Sequence, residues 1–111
     1  MMDELEFRRT AESALDALKR HLIECEEEDN AGFEVEEQNG VLNVQFEEPP
    51  GKFVISPNSP VRQIWVSAHS KSYKLDWDSV ESAFVLQSTG QSLTELIQEA
   101  IAKQLGEEVS L

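Results

Sequence analysis

The chain has 111 residues, a single cysteine and a formal charge of −13, room enough for one domain with its own core and no intramolecular disulfide. Fifteen of the 22 acids but only four of the nine bases lie in residues 1–48, which excludes the basic surface that nucleic acid requires. No apolar run reaches membrane-spanning length, and Met1-Met2-Asp3-Glu4 lacks the basic and apolar regions of a signal peptide, so a reducing, cytoplasmic setting is expected.

The first element is a helix. Phe7, Ala11, Ala14/Leu15, Leu18 and Leu22 recur at spacings of three and four and form one apolar stripe. Asp3, Glu4 and Glu6 suit the positive end of its dipole, and Lys19, Arg20 and His21 the negative end. Glu12, Asp16 and Arg20 form an i, i+4 series on an outer face. Like charges crowd in Glu24 to Gly32, where the helix is expected to fray.

Six short strands are predicted next. Phe33 to Gln38 and Val41 to Phe46 flank Asn39-Gly40, a hairpin signal because both central turn positions need positive φ. Pro49-Pro50-Gly51 breaks the chain before Lys52 to Ser56, and Pro57-Asn58-Ser59-Pro60 turns into Val61 to Ala68. His69-Ser70-Lys71 turns again into Ser72 to Trp77, and Ala83 to Gln87 follows. None of these connections leaves room for a helical crossover, so the strands form an antiparallel meander. Ser92-Leu93-Thr94-Glu95 is a capping box that opens a second helix, with Gly106 as its C′ residue.

Each amphipathic helix needs an apolar partner, and one sheet face supplies it for both. The expected fold is therefore α+β: a two-layer sandwich with two helices on one face of a five- to six-stranded antiparallel sheet, as one domain over residues 1–111. In Val61 to Ala68, Ile64, Val66 and Ala68 then face the core, which pushes Gln63 and Trp65 onto the open face. An exposed large aromatic beside an amide suits contact better than stability. The alternative is that both sheet faces are covered and Trp65 is core.

Catalytic chemistry finds little support. No Ser/His/Asp set, phosphate loop or nucleotide fingerprint occurs, and Cys25 stands among carboxylates that disfavour its thiolate. His21 reads as a helix-end residue and His69 as a turn residue. Carboxylates are hard ligands suited to iron, Mn²⁺, Ca²⁺ and Mg²⁺, but no spacing matches a tight transition-metal or EF-hand site. Metal binding is expected to be shallow, plural and weak.

The order α-β(5–6)-α, with Asn39-Gly40-Val41-Leu42-Asn43-Val44, Gln63-Ile64-Trp65-Val66-Ser67, Tyr73-Lys74-Leu75-Asp76-Trp77 and Gly90-Gln91-Ser92-Leu93-Thr94-Glu95-Leu96, resembles the frataxin family, most closely its bacterial members. The resemblance implies a non-enzymatic protein, acting as a monomer, that binds iron weakly and modulates iron–sulfur cluster assembly. The implied partners are a cysteine desulfurase and its scaffold protein. Carried over by position, the iron-binding acidic ridge is Glu4, Glu12, Asp16, Glu24, Glu26, Glu27, Glu28, Asp29, Glu34, Glu36 and Glu37. The partner-binding set is Gln63, Trp65 and Ser67. Lys19 and Arg20 replace carboxylates frequent in relatives, which moves the expected weight of the ridge toward Glu24–Asp29 and the first strand. The rival reading is an acidic protein–protein interaction module without physiological iron binding.

Overall fold

One apolar stripe runs the length of the first helix, α1 (Glu4–Asp29), where Phe7, Ala11, Leu15, Leu18, Leu22 and Cys25 are all buried. The computed structural model describes residues 3–29, 33–47 and 50–106, without the side chains of Glu26, Glu28 and Asp29. The expected fraying from Glu24 is not found. Leu22 and Cys25 carry the buried spacing into the acidic run, so tertiary packing outweighs like-charge repulsion. Lys19, Arg20 and His21 consequently lie mid-helix, and the last turn of α1 holds no base. The expected continuation of the crowded acids into Asn30, Ala31 and Gly32 lies outside the described residues.

Six strands follow: β1 (Phe33–Gln38), β2 (Val41–Glu47), β3 (Pro50–Asn58), β4 (Gln63–Ala68), β5 (Lys71–Asp78) and β6 (Ala83–Leu86). They pair in sequence order as an antiparallel sheet. Asn39 and Gly40 have φ of 54° and 81°, as the hairpin reading required. Pro50 and Gly51, expected as a break, open β3 opposite Glu47 and Phe46. Pro57 and Asn58, expected in a turn, prolong β3 opposite Ile64 and Gln63. The pairing of β3 with β2 stops at Ile55, so Pro57 has a strand on one side only, a local edge where proline is tolerated. Val61 belongs to a 3-10 turn (Ser59–Val61), and Arg62 adopts a left-handed φ of 53° before β4 begins. Arg62 Nη1 donates to Ser59 O at 3.0 Å and Pro60 O at 3.2 Å, folding back over that turn.

The final helix, α2 (Leu93–Leu105), starts with the reciprocal Ser92–Glu95 capping box and ends at Gly106 with φ 73°. Its Leu93, Leu96, Ile97, Ala100 and Ile101 join the α1 stripe over one sheet face. That face supplies Phe33, Leu42, Val44, Phe46, Phe53, Ile55, Ile64, Val66, Ala68, Leu75 and Phe84. Phe84 stacks edge-on against both Phe7 of α1 and Trp77 of β5. His69, in the β4–β5 turn, is tied to α2 through Nε2 and Ala100 O at 3.1 Å and meets Phe53 edge-on. Among the described residues no helix is long and apolar enough to cross a membrane.

Candidate docking surface

Alternation in β4 decides what the uncovered face shows. Ile64, Val66 and Ala68 are 0%, 1% and 2% exposed, whereas Trp65 between them is 37% exposed. The residues at 63, 65 and 67 therefore share the face opposite the helices. Ser56 on β3 and Lys74 on β5 stand directly across from Trp65, Val54 and Ser72 across from Ser67, and Asn58 and Asp76 across from Gln63. A shallow depression of about 390 Å³ lies among Val54, Ser56, Trp65, Ser67, Ser72 and Lys74.

Around Trp65 the side chains form a chain of hydrogen bonds. Its Nε1 donates to Gln63 Oε1 at 3.0 Å, and Gln63 Nε2 donates to Asp76 Oδ1 at 3.0 Å. Lys74 Nζ lies 5.0 Å from the indole centroid, within cation–π range. Neither Asp76 nor Lys74 stands in the set expected from sequence, Gln63, Trp65 and Ser67. Period 2 puts both residues on Trp65's face, but only the β4–β5 register shows that they adjoin it.

The acids divide by the same alternation. Across β1–β2 the pairs are Glu34 with Gln45, Glu36 with Asn43 and Glu37 with Leu42. Leu42 is buried under the helices, so Glu37 faces α1, while Glu34 and Glu36 lie on the open face with Trp65. Glu37 Oε1 accepts from Lys19 Nζ at 2.8 Å. Glu4 is paired with Arg8 at 2.6 Å and Asp16 with Arg20 at 3.5 Å. Glu12, Asp16 and Glu37 line one groove of about 660 Å³ together with Arg8, Arg9 and Lys19, so acids and bases balance there. Glu24 and Glu27 are exposed on the last turns of α1. Glu26, Glu28 and Asp29 belong to the same turns, but the placement of their side chains lies outside the described residues.

Among the described residues no three Asp, Glu, His or Cys side chains converge in a way that could hold a metal ion. The described donors thus do not fit a chelated iron. Separate carboxylates fit hydrated divalent cations held by charge, each contact being worth up to ~1 kcal/mol.

A family profile described as the frataxin-like domain matches residues 1–107. The iron–sulfur cluster assembly protein CyaY of Azotobacter vinelandii is 30% identical over 95 residues, which span 86% of each chain. The protein of the same name from Tolumonas auensis is 27% identical over 110 residues, 99% of each chain. A solved structure described as frataxin from Psychromonas ingrahamii superposes with a TM-score of 0.77 over 98% of this chain and 97% of its own, at 23% identity. It carries two helices packed on an antiparallel sheet in the same way.

Proposed function

The chain belongs to the frataxin-like family, and from that premise we propose that it modulates iron–sulfur cluster assembly by docking on a cysteine desulfurase–scaffold complex. Its relatives carry iron–sulfur cluster assembly in their names. The reading is carried by Trp65, an indole left on the one sheet face that the helices do not cover. Buried aromatic anchors dominate binding energy at interfaces, and this one is already oriented by Gln63.

Glu34 and Glu36 lie on the same face, three strand spacings or about 14 Å from β4. A footprint of roughly 800 Å² per partner covers both. The outer face of β1 and the centre of the sheet are therefore one docking surface. Its acids steer a basic partner, and Trp65 holds it at short range. The cytoplasm is where such a complex would be met.

Iron enters this reading as weakly held, hydrated ion on the acids of α1 and β1. The ion pairs of Glu4, Asp16 and Glu37 favour the second reading, a docking module without physiological iron. Anaerobic Fe²⁺ titration by calorimetry separates the two. Docking itself is tested by co-purification with the desulfurase and scaffold from the same cell. Loss of capture with Trp65→Ala supports it, and equal capture of a correctly folded Trp65→Ala protein overturns it.

A further inference from the structure

Asp76 does not line the depression beside Trp65, yet Gln63 links it to the indole. The indole Nε1 can only donate a hydrogen bond and a carboxylate can only accept one. Gln63 stands between them, 3.0 Å from each. Only one orientation of its amide satisfies both neighbours: oxygen toward Trp65, nitrogen toward Asp76. With the amide reversed, its NH₂ would meet the indole N–H and its oxygen would meet the carboxylate, donor on donor and acceptor on acceptor.

Resting on the docking reading above, we infer that Asp76 is a positioning residue for partner binding, acting on Trp65 through Gln63. The carboxylate sits on β5 directly opposite Gln63, in a half-buried position where water competes less well for the bond. Lys74, two pairs along on the same strand and so on the same face, covers the indole from above. Between them these two β5 residues fix the Trp65 ring: one through its N–H, the other through its π face. The indole N–H is spent inside the molecule, so a partner meets the ring surface of Trp65 and not its donor.

The test uses the full chain with two readouts. In the free protein, water-exchange NMR follows the Trp65 indole N–H, assigned by its loss in Trp65→Phe. Asp76→Leu is expected to speed that exchange about three- to tenfold, the scale of one lost side-chain hydrogen bond. Asp76→Asn, whose oxygen still accepts from Gln63 Nε2, is expected to restore the slow exchange. In a Gln63→Leu background Asp76→Leu is expected to add nothing, because its route to the indole is already cut. Affinity for the desulfurase–scaffold complex should follow the same order across the set.

Unchanged indole exchange in Asp76→Leu overturns the positioning role whatever binding does, and so does an additive effect in the Gln63→Leu background. Failure of the docking reading looks different: exchange responds to Asp76→Leu while Trp65→Ala leaves binding intact. Melting temperatures measured on the same samples separate both results from general loosening, and Asp76→Asn keeps the test open if Asp76→Leu folds poorly.

Discussion

Lys19 Nζ lies 2.8 Å from Glu37 Oε1 and ties the middle of α1 to the end of β1. The two side chains are 32% and 43% exposed, so the pair is screened and worth at most ~1 kcal/mol. Its larger consequence is electrostatic: it removes Glu37 from the acids able to hold a cation. Lys19→Gln is expected to cost no more than that ~1 kcal/mol in urea unfolding. It is also expected to strengthen Mn²⁺-induced NMR broadening around Glu37 and Asp16. Equal broadening in both proteins would show that the ion pair does not limit cation access.

Ile64 and Trp65 are neighbours in sequence on opposite faces, and they separate stability from contact. Ile64 is 0% exposed in the middle of the sheet. Ile64→Ala is expected to cost about 2–5 kcal/mol of unfolding free energy through lost burial and the cavity left behind. Trp65→Ala is expected to cost less, about 1–2 kcal/mol, since the residue is 37% exposed on the open face and carries one side-chain hydrogen bond. Its binding loss is expected to exceed ~2 kcal/mol, the hot-spot range for a central aromatic. Denaturant titration and calorimetry on the two variants check this. A Trp65→Ala protein as unstable as Ile64→Ala would make the indole a core residue in disguise.

Local signals carried far into the fold. Asn39-Gly40 marked a turn that needs two positive φ values, and Ser92 with Glu95 marked a helix start, because both depend on residues within four positions of each other. The outward placement of Trp65 followed from alternation together with two helices that need the same sheet face. What depended on register was not legible. Alternation within β1 puts Glu37 on the side of Phe33 and Val35, away from Glu34 and Glu36, but only the packing of α1 shows that Lys19 meets it. Likewise only the β4–β5 register sets Asp76 against Gln63. The persistence of α1 to Asp29 was missed because charge crowding was weighed and Cys25, which continues the stripe beyond Leu22, was not.

That division of β1 has a kinetic consequence. Glu34 and Glu36 share the open sheet face with Trp65, whereas Glu37 faces α1 and is paired with Lys19. Neutralising Glu34 and Glu36 together as Gln is expected to slow association with the desulfurase–scaffold complex on the order of tenfold at low salt. Dissociation should change little, because rim charges act mainly on encounter. Glu37→Gln is expected to change the association rate far less. Stopped-flow mixing at several salt concentrations reads both constants. Equal slowing by the Glu34/Glu36 pair and by Glu37 would mean that the partner senses total charge and not the face that carries it.

The C-terminal end of α1 offers the converse experiment, in which stability rises as function falls. Its last turn has no base, and the exposed Glu27 meets the negative end of the helix dipole within a chain of net charge −13. Both effects oppose folding, the first by about 0.3–1 kcal/mol per charge. Glu27→Lys reverses the sign at that end and is expected to raise stability by about 1 kcal/mol or somewhat more. Much of the gain should vanish in high salt, where the dipole and the self-repulsion are both screened. The unaltered protein should itself melt higher as salt or divalent cation is added, for the same reason. Thermal melts of both proteins across a salt series measure all three effects. A Glu27→Lys protein that melts no higher at low salt would show that this turn is stabilised by something other than relief of charge. If instead it melts higher yet binds the partner complex as fast as before, the end of α1 lies outside the steering field, which is then left to β1.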